Sequence, residues 1–191
     1  MQFNLPTHLT LLRIGLIPVL VLFFYLPWDA AHIACALIFT MAALTDWLDG
    51  YLARRLDLAT RFGAFLDPVA DKLMVAVTLV LIVQADPNPF IAVAAAVIIG
   101  REITIASLRE WMAEIGQRKQ VEVSWLGKWK TTFQMLAIIL LLLGMNNQDN
   151  FWKATGQVLL VASAILTLWS MVNYLQAALP VLQKGTPKNP E

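Results

Sequence analysis

A single cysteine, Cys35, occurs in the 191 residues of the chain, which excludes an intramolecular disulfide and a cysteine-based zinc site. Cys35 sits inside an apolar run, where packing is its expected role. Charge is scarce as well: only 14% of residues are Asp, Glu, Lys or Arg, and the formal net charge is +1. So small a balance gives no electrostatic ground for a nucleic-acid partner. The two histidines, His8 and His32, lie far apart and form no triad pattern with a serine, so structural or interfacial roles are expected for both. The N-terminal MQFNLPTHLTLLR has no basic n-region and no small-residue cleavage site stands out after it. Its apolar run is therefore read as a retained membrane span and not as a signal peptide. Internal repeats and low-complexity segments are not found.

Apolar residues are what the chain does have, at 59%, too many for an ordinary soluble domain. A membrane span needs about 20 mostly apolar residues, and six such stretches can be drawn, at about 9–27, 31–52, 67–85, 90–113, 131–147 and 152–178. All are expected to be helices, because a helix satisfies its own backbone hydrogen bonds in lipid. The expectation is an all-α, polytopic membrane bundle of six helices in one domain over 1–180, with a polar tail over 181–191. Breaks fall at Pro27-Trp28-Asp29, at Asp86-Pro87-Asn88-Pro89 and at Asn146–Asn150, and they read as tight turns. The connectors 53–66 and 114–130 are longer and basic.

Lysine and arginine set the orientation. Arg54, Arg55, Arg61, Arg118, Lys119, Lys128, Lys130, Lys184 and Lys188 fall in the two basic connectors and the tail, whereas the opposite loops and their edges carry only Lys153. Both termini are therefore expected on the cytoplasmic side. Most of the seven tryptophans, such as Trp28, Trp47, Trp111, Trp125, Trp129 and Trp152, flank span ends, as an interfacial belt does.

Within so little charge, one stretch is dense. DWLDGYLARRLDLATRFGAFLDPVAD, residues 46–71, holds five aspartates and three arginines between two apolar runs. Asp46 and Asp49 are three apart and share a helix face; Asp67 and Asp71 are four apart, with Gly63 four before Asp67, on another. Two helix ends would then aim four carboxylates at one pocket. Anions so placed either protonate or hold a cation. An all-oxygen cluster suits a hard ion, Mg²⁺, Mn²⁺ or Ca²⁺, and such ions commonly bridge carboxylates to a substrate's phosphates. Gly50, Ala53 and Gly63 are small residues that let a ligand or a neighbouring helix come close. Asp57 lies off the spacing and reads as solvated. Arg55 and Arg61 read as positive-inside charges.

The pattern D-x2-D-G-x2-A-R-x8-G-x3-D-x3-D, from Asp46 to Asp71, resembles without gap or substitution the signature of the CDP-alcohol phosphatidyltransferase family. The likeness extends through NLPTHLTLLRIGLIP, GREITIASLREWMAE and SWLGKWKTTFQM, so it covers essentially the whole chain. It implies transfer of the phosphatidyl group from CDP-diacylglycerol, a membrane lipid, to an alcohol, with release of CMP. The implied acceptor is sn-glycerol 3-phosphate. It also implies one or two Mg²⁺ (or Mn²⁺) ions on Asp46, Asp49, Asp67 and Asp71, with Asp71 as the general base. Asp49, Gly50, Ala53, Arg54 and Gly63 would line the CDP pocket. NLPTHLTLLR resembles the family's N-P-N-x-x-T-x-x-R entry segment, which adds Pro6 and Thr10, although Thr7 stands where members often carry asparagine. Pro6 and Thr10 also suit a plain helix start, and Arg13 either binds a ligand or snorkels to the surface. Members are commonly dimeric, and AVAAAVIIG before Arg101 offers a close-packing face, so a homodimer is expected.

A phosphorylated acceptor needs a second cationic pocket. Arg109 and Lys128 are the first candidates, with Arg101 and Lys130 behind them. Arg101 and Arg109 are eight apart on one expected helix, and Arg101 lies deep in an apolar span, an expensive place for a charge. The plainer reading pairs Arg101 with Glu102, and leaves Lys128 and Lys130 as positive-inside charges. Glu102, Glu110 and Glu114 are expected to hold these arginines, and Lys72 to balance the acid cluster. Serine or inositol phosphate as acceptor would use the same aspartates. Outside the family, a Mg-dependent prenyltransferase would usually need two aspartate motifs. A divalent-cation transporter would place acids deep in several spans.

Overall fold

A backbone in lipid must bond to itself, and the apolar stretches do so as helices. The computed structural model of the protein describes residues 5–56, 61–115, 126–146 and 150–183. It consists there of six α-helices and no strand: α1 (Leu5–Tyr25), α2 (Ala31–Leu56), α3 (Arg61–Ala85), α4 (Pro89–Glu114), α5 (Leu126–Asn146) and α6 (Asn150–Gln183). Three of them carry runs long and apolar enough to cross a membrane, at Thr7–Tyr25, Pro89–Glu114 and Phe151–Gln176, while α2 and α5 carry shorter apolar stretches, Ala31–Asp46 and Lys130–Met145. The chain is a membrane helical bundle.

Two of the three breaks, at Pro27–Asp29 and at Asp86–Pro89, fall where expected. The Asp86–Asn88 link separates α3 from α4, with Asn88 as N-cap accepting a hydrogen bond from the Phe90 amide at 2.9 Å and Pro89 in the first turn. Proline tolerates that place because its missing N–H would be unpaired there anyway. The helices outrun the expected spans. α3 starts at Arg61 and α5 at Leu126, and α6 continues past Pro180 to Gln183. Hydropathy reports the thickness of the hydrocarbon, whereas a helix ends only where its own capping or turn residues end it. Much of the 53–66 connector is thus helical. Residues 57–60, 116–125, 147–149 and 184–191, including most of the expected tail, lie outside the described residues.

Packing is by pairs. α1 lies against α2 and α3, α4 against α6 and α3, α2 against α5, and α5 against α6. Leu20, Phe39, Leu79, Ile82, Ile91, Ile98, Ile138, Leu142 and Leu160 lie in one continuous core. Large apolar side chains such as Leu22, Leu37, Val93, Val158, Ile165 and Trp169 face outward, as a bundle solvated by lipid requires. Cys35 is buried, with its thiol 3.5 Å from the Leu20 carbonyl, in keeping with a packing role. His32 stacks edge-on against Phe24 at 5.2 Å.

At the end of the bundle away from the aspartate stretch, Lys153 pairs with Asp86 at 3.0 Å, and Gln157 donates to the same carboxylate at 3.4 Å. Here α5 and α6 approach so closely that a Cβ on Gly144 would stand 2.6 Å from the Lys153 backbone nitrogen. Backbone cannot step aside as a side-chain tip can. Gly144→Ala is therefore expected to destabilise the protein by about 1–3 kcal/mol, the usual cost of overpacking. Thermal unfolding in detergent checks this, with Gly15→Ala, where a Cβ meets nothing within 4 Å, leaving the midpoint nearly unchanged.

Candidate active site

Two residues of α1 organise the charged end. Thr10 and Arg13 are three apart and so share a face of the helix. Both are buried, Arg13 to 1% exposure. Arg13 therefore does not snorkel. Its guanidinium sits between the two aspartate-bearing helices, hydrogen-bonded to Asp71 of α3 and 3.0 Å from Asp46 of α2. Thr10 donates from its hydroxyl to Asp67 of α3. The close packing of α1 on both α2 and α3 makes these bonds possible. A single cation thus offsets part of the repulsion that the aspartate spacing creates.

Asp46, Asp67 and Asp71 line one cavity of about 740 Å³, together with Lys72, Glu102, Thr131, Thr132 and Gln134. Its other wall is apolar, with Ala43, Val75, Leu136 and Ile139. The sequence expectation that α2 and α3 bring acids to one pocket is met for these three. Pro68, next to Asp67, lies inside α3 and withholds the amide that would close the preceding turn. Among the described residues no three His, Cys, Asp or Glu side chains close on one point. The side chain of Asp49 is not among them, nor are those of Pro6, Gly50, Ala53, Arg54 and Lys128. Gly63 is described and buried. By chemistry, an all-carboxylate set at one wall of a cavity fits a hard divalent ion.

Glu102 joins this cavity to a second cluster. Its carboxylate accepts from Arg101 and lies 3.6 Å from Lys130 Nζ. Arg101 is 7% exposed and Lys130 3%. The expected pairing of Arg101 with Glu102 is present. One face of α4 then carries Arg109 to Tyr174 of α6, where its guanidinium donates to the phenol oxygen at 3.3 Å. The Arg109 guanidinium carbon lies 5.6 Å, and that of Arg101 6.0 Å, from the Tyr174 ring centre. Arg101 Nε, Arg109 Nε and Lys130 Nζ are buried with no hydrogen-bond partner among the described residues. Buried donors of this kind are uncommon, and they mark a place for a ligand or ordered water.

Sequence reasoning missed the partners of Arg13 and the part played by Tyr174. The T-x-x-R spacing in an apolar helix was the available signal for the first. No comparable signal marked the tyrosine.

The model of the CDP-alcohol phosphatidyltransferase family matches residues 3–169. A relative from Sodalis glossinidius is 56% identical over 178 residues, which is 93% of this chain and 96% of the relative. One from Haemophilus influenzae is 53% identical over 178 residues, covering 93% and 95%, and one from Escherichia coli strain K12 is 54% identical over 179 residues, covering 93% and 96%. Each of the three is named CDP-diacylglycerol–glycerol-3-phosphate 3-phosphatidyltransferase. With its aspartate cavity on α2 and α3 and a family match that runs through five helices into α6, the chain belongs to the CDP-alcohol phosphatidyltransferase family.

Proposed function

We propose that the protein transfers the phosphatidyl group of CDP-diacylglycerol to sn-glycerol 3-phosphate, giving phosphatidylglycerophosphate and CMP. The observation that carries this reading is the cavity where Asp46, Asp67 and Asp71 meet Glu102, the residue that leads to Arg101 and Lys130. Acids at one side and cations at the other suit a diphosphate brought with metal and an acceptor that carries its own phosphate. The near full-length identity to relatives named for this reaction supports the same acceptor.

Asp46, Asp49, Asp67 and Asp71 would hold one or two Mg²⁺ or Mn²⁺ ions, which would neutralise the diphosphate and stabilise departing CMP. Asp71, oriented by Arg13, takes the proton from the acceptor hydroxyl. That oxygen bonds to the phosphatidyl phosphorus, and the bond from the phosphorus to CMP breaks. Gly50, Ala53, Arg54 and Gly63 flank the CDP group, with Pro6 and Thr10 at its edge. Arg101, Arg109, Lys128 and Lys130 receive the acceptor phosphate. An alcohol is a weak nucleophile at neutral pH, so positioning and charge stabilisation supply most of the rate. The reading places both termini and the cavity on the cytoplasmic side of the bacterial inner membrane, from the lysine and arginine bias. It includes a homodimer, for which the exposed Ala96 and Gly100 of α4 offer a close-packing stripe.

The test follows CMP release by purified protein in mixed micelles of CDP-diacylglycerol. The acceptor is glycerol 3-phosphate, serine, inositol 1-phosphate or none, each with Mg²⁺ or with EDTA. Release with glycerol 3-phosphate alone, abolished by EDTA, is expected. Release with a different acceptor would retain the chemistry and overturn the acceptor assignment. No release from folded, metal-supplied protein would sink the transferase reading.

A further inference from the structure

Arg109 is held in an unusual way. Glu102 compensates Arg101 and Lys130, but Arg109 has no carboxylate partner among the described residues, and its buried Nε has no hydrogen-bond partner there. What holds it is Tyr174, through the phenol oxygen at 3.3 Å and the ring face at 5.6 Å. Tyr174 is itself 7% exposed and packs with Ile105 and Met112, so its ring has little room to turn. The same ring lies 6.0 Å from the Arg101 guanidinium carbon. One neutral side chain on α6 therefore lies against two arginines about two turns apart on α4.

We infer that Tyr174 is a positioning residue for the acceptor phosphate, holding Arg109 in register with Arg101 without neutralising it. An aspartate or glutamate at this place would fix the guanidinium equally well, but would cancel the charge that a phosphate dianion needs. A ring face and a phenol oxygen orient a cation through the quadrupole and a lone pair and leave its formal charge intact. The inference rests on the assignment of Arg101 and Arg109 to acceptor binding, and the test separates the two.

Steady-state CMP release is measured for Tyr174→Phe, Tyr174→Leu and Arg109→Gln, varying glycerol 3-phosphate and CDP-diacylglycerol in turn. Tyr174→Phe keeps the ring and loses the hydroxyl, and its KM for glycerol 3-phosphate is expected to rise about threefold to tenfold. Tyr174→Leu loses both contacts, with a rise of about tenfold to thirtyfold. In both variants kcat and the KM for the lipid stay near wild type. A purely structural tyrosine would give the opposite pattern: unchanged acceptor KM, with kcat and folded yield falling together, and phenylalanine restoring both. That result overturns the inference. If Arg109→Gln raises the acceptor KM and neither tyrosine variant does, Tyr174 has no positioning role. If Arg109→Gln also leaves it unchanged, the acceptor-pocket assignment itself fails.

Discussion

Asp71→Asn is expected to reduce CMP release by about 10²–10⁴-fold, the usual contribution of a positioned general base. The substitution keeps the size of the side chain and one oxygen in the cavity, but removes the carboxylate proposed to take the acceptor proton. The fold should survive it. Arg13 retains Asp46 at 3.0 Å, so its charge stays paired. The informative measurement is kcat at saturating lipid and acceptor beside a melting curve. A folded variant with near-normal kcat would remove Asp71 from the base role and move the search to another acid of the cavity. Asp86→Asn, at the opposite end of the bundle where Asp86 meets Lys153, should leave kcat within a small factor of wild type.

Replacing Arg13 is expected to have the second-largest effect, and on two quantities at once. Its guanidinium joins α1 to Asp46 and Asp71. Hydrogen bonds to charged groups contribute about 1.5–3 kcal/mol, so Arg13→Gln should lower stability by about that amount. Activity should fall as well, because both carboxylates lose the group that orients them. Arg13→Lys preserves the charge and loses the planar fork, so it should recover little of either. The variant also gives a readout that simple loss of packing would not. Without the guanidinium, the acid pair depends on a bound divalent ion for its counter-charge. The melting temperature of Arg13→Gln should then differ more between Mg²⁺ and EDTA than that of the wild type. An equal Mg²⁺ response in the two proteins would argue against metal at these carboxylates.

The parts of the site that could be read in the sequence are those governed by local geometry. Three- and four-residue spacings place Asp46 with Asp49, and Asp67 with Asp71, whatever the helices later pack against. The charge bias and the Asp86–Asn88 break are likewise local. Arg13 shows where such reading ends. Its spacing from Thr10 gives a face, but whether that face meets lipid, water or acids depends on α1 lying against both α2 and α3. Tyr174 is similar: 65 residues separate it from Arg109, and only the packing of α6 on α4 joins them. The third expected span, from residue 67, differs from the helix that carries it for another reason. A span is drawn by apolar length, and polar or small residues such as Arg61 and Gly63 fall outside it without stopping the helix, so α3 reaches back to Arg61.

The place of Arg13 also bears on how the chain is made. α1 leaves the ribosome before α2 and α3, with an arginine whose acidic partners belong to those later helices. An arginine at the centre of a span costs about 2.5–3.5 kcal/mol on translocon scales, and less near an end. The apolar remainder of α1, Ile14–Tyr25, must offset that cost while the helix waits. Its counter-charges arrive only with Asp46 and then Asp71. Until α2 and α3 follow, α1 is thus a poorly matched span, and these three helices reach their lowest-energy place in the bilayer only as a set.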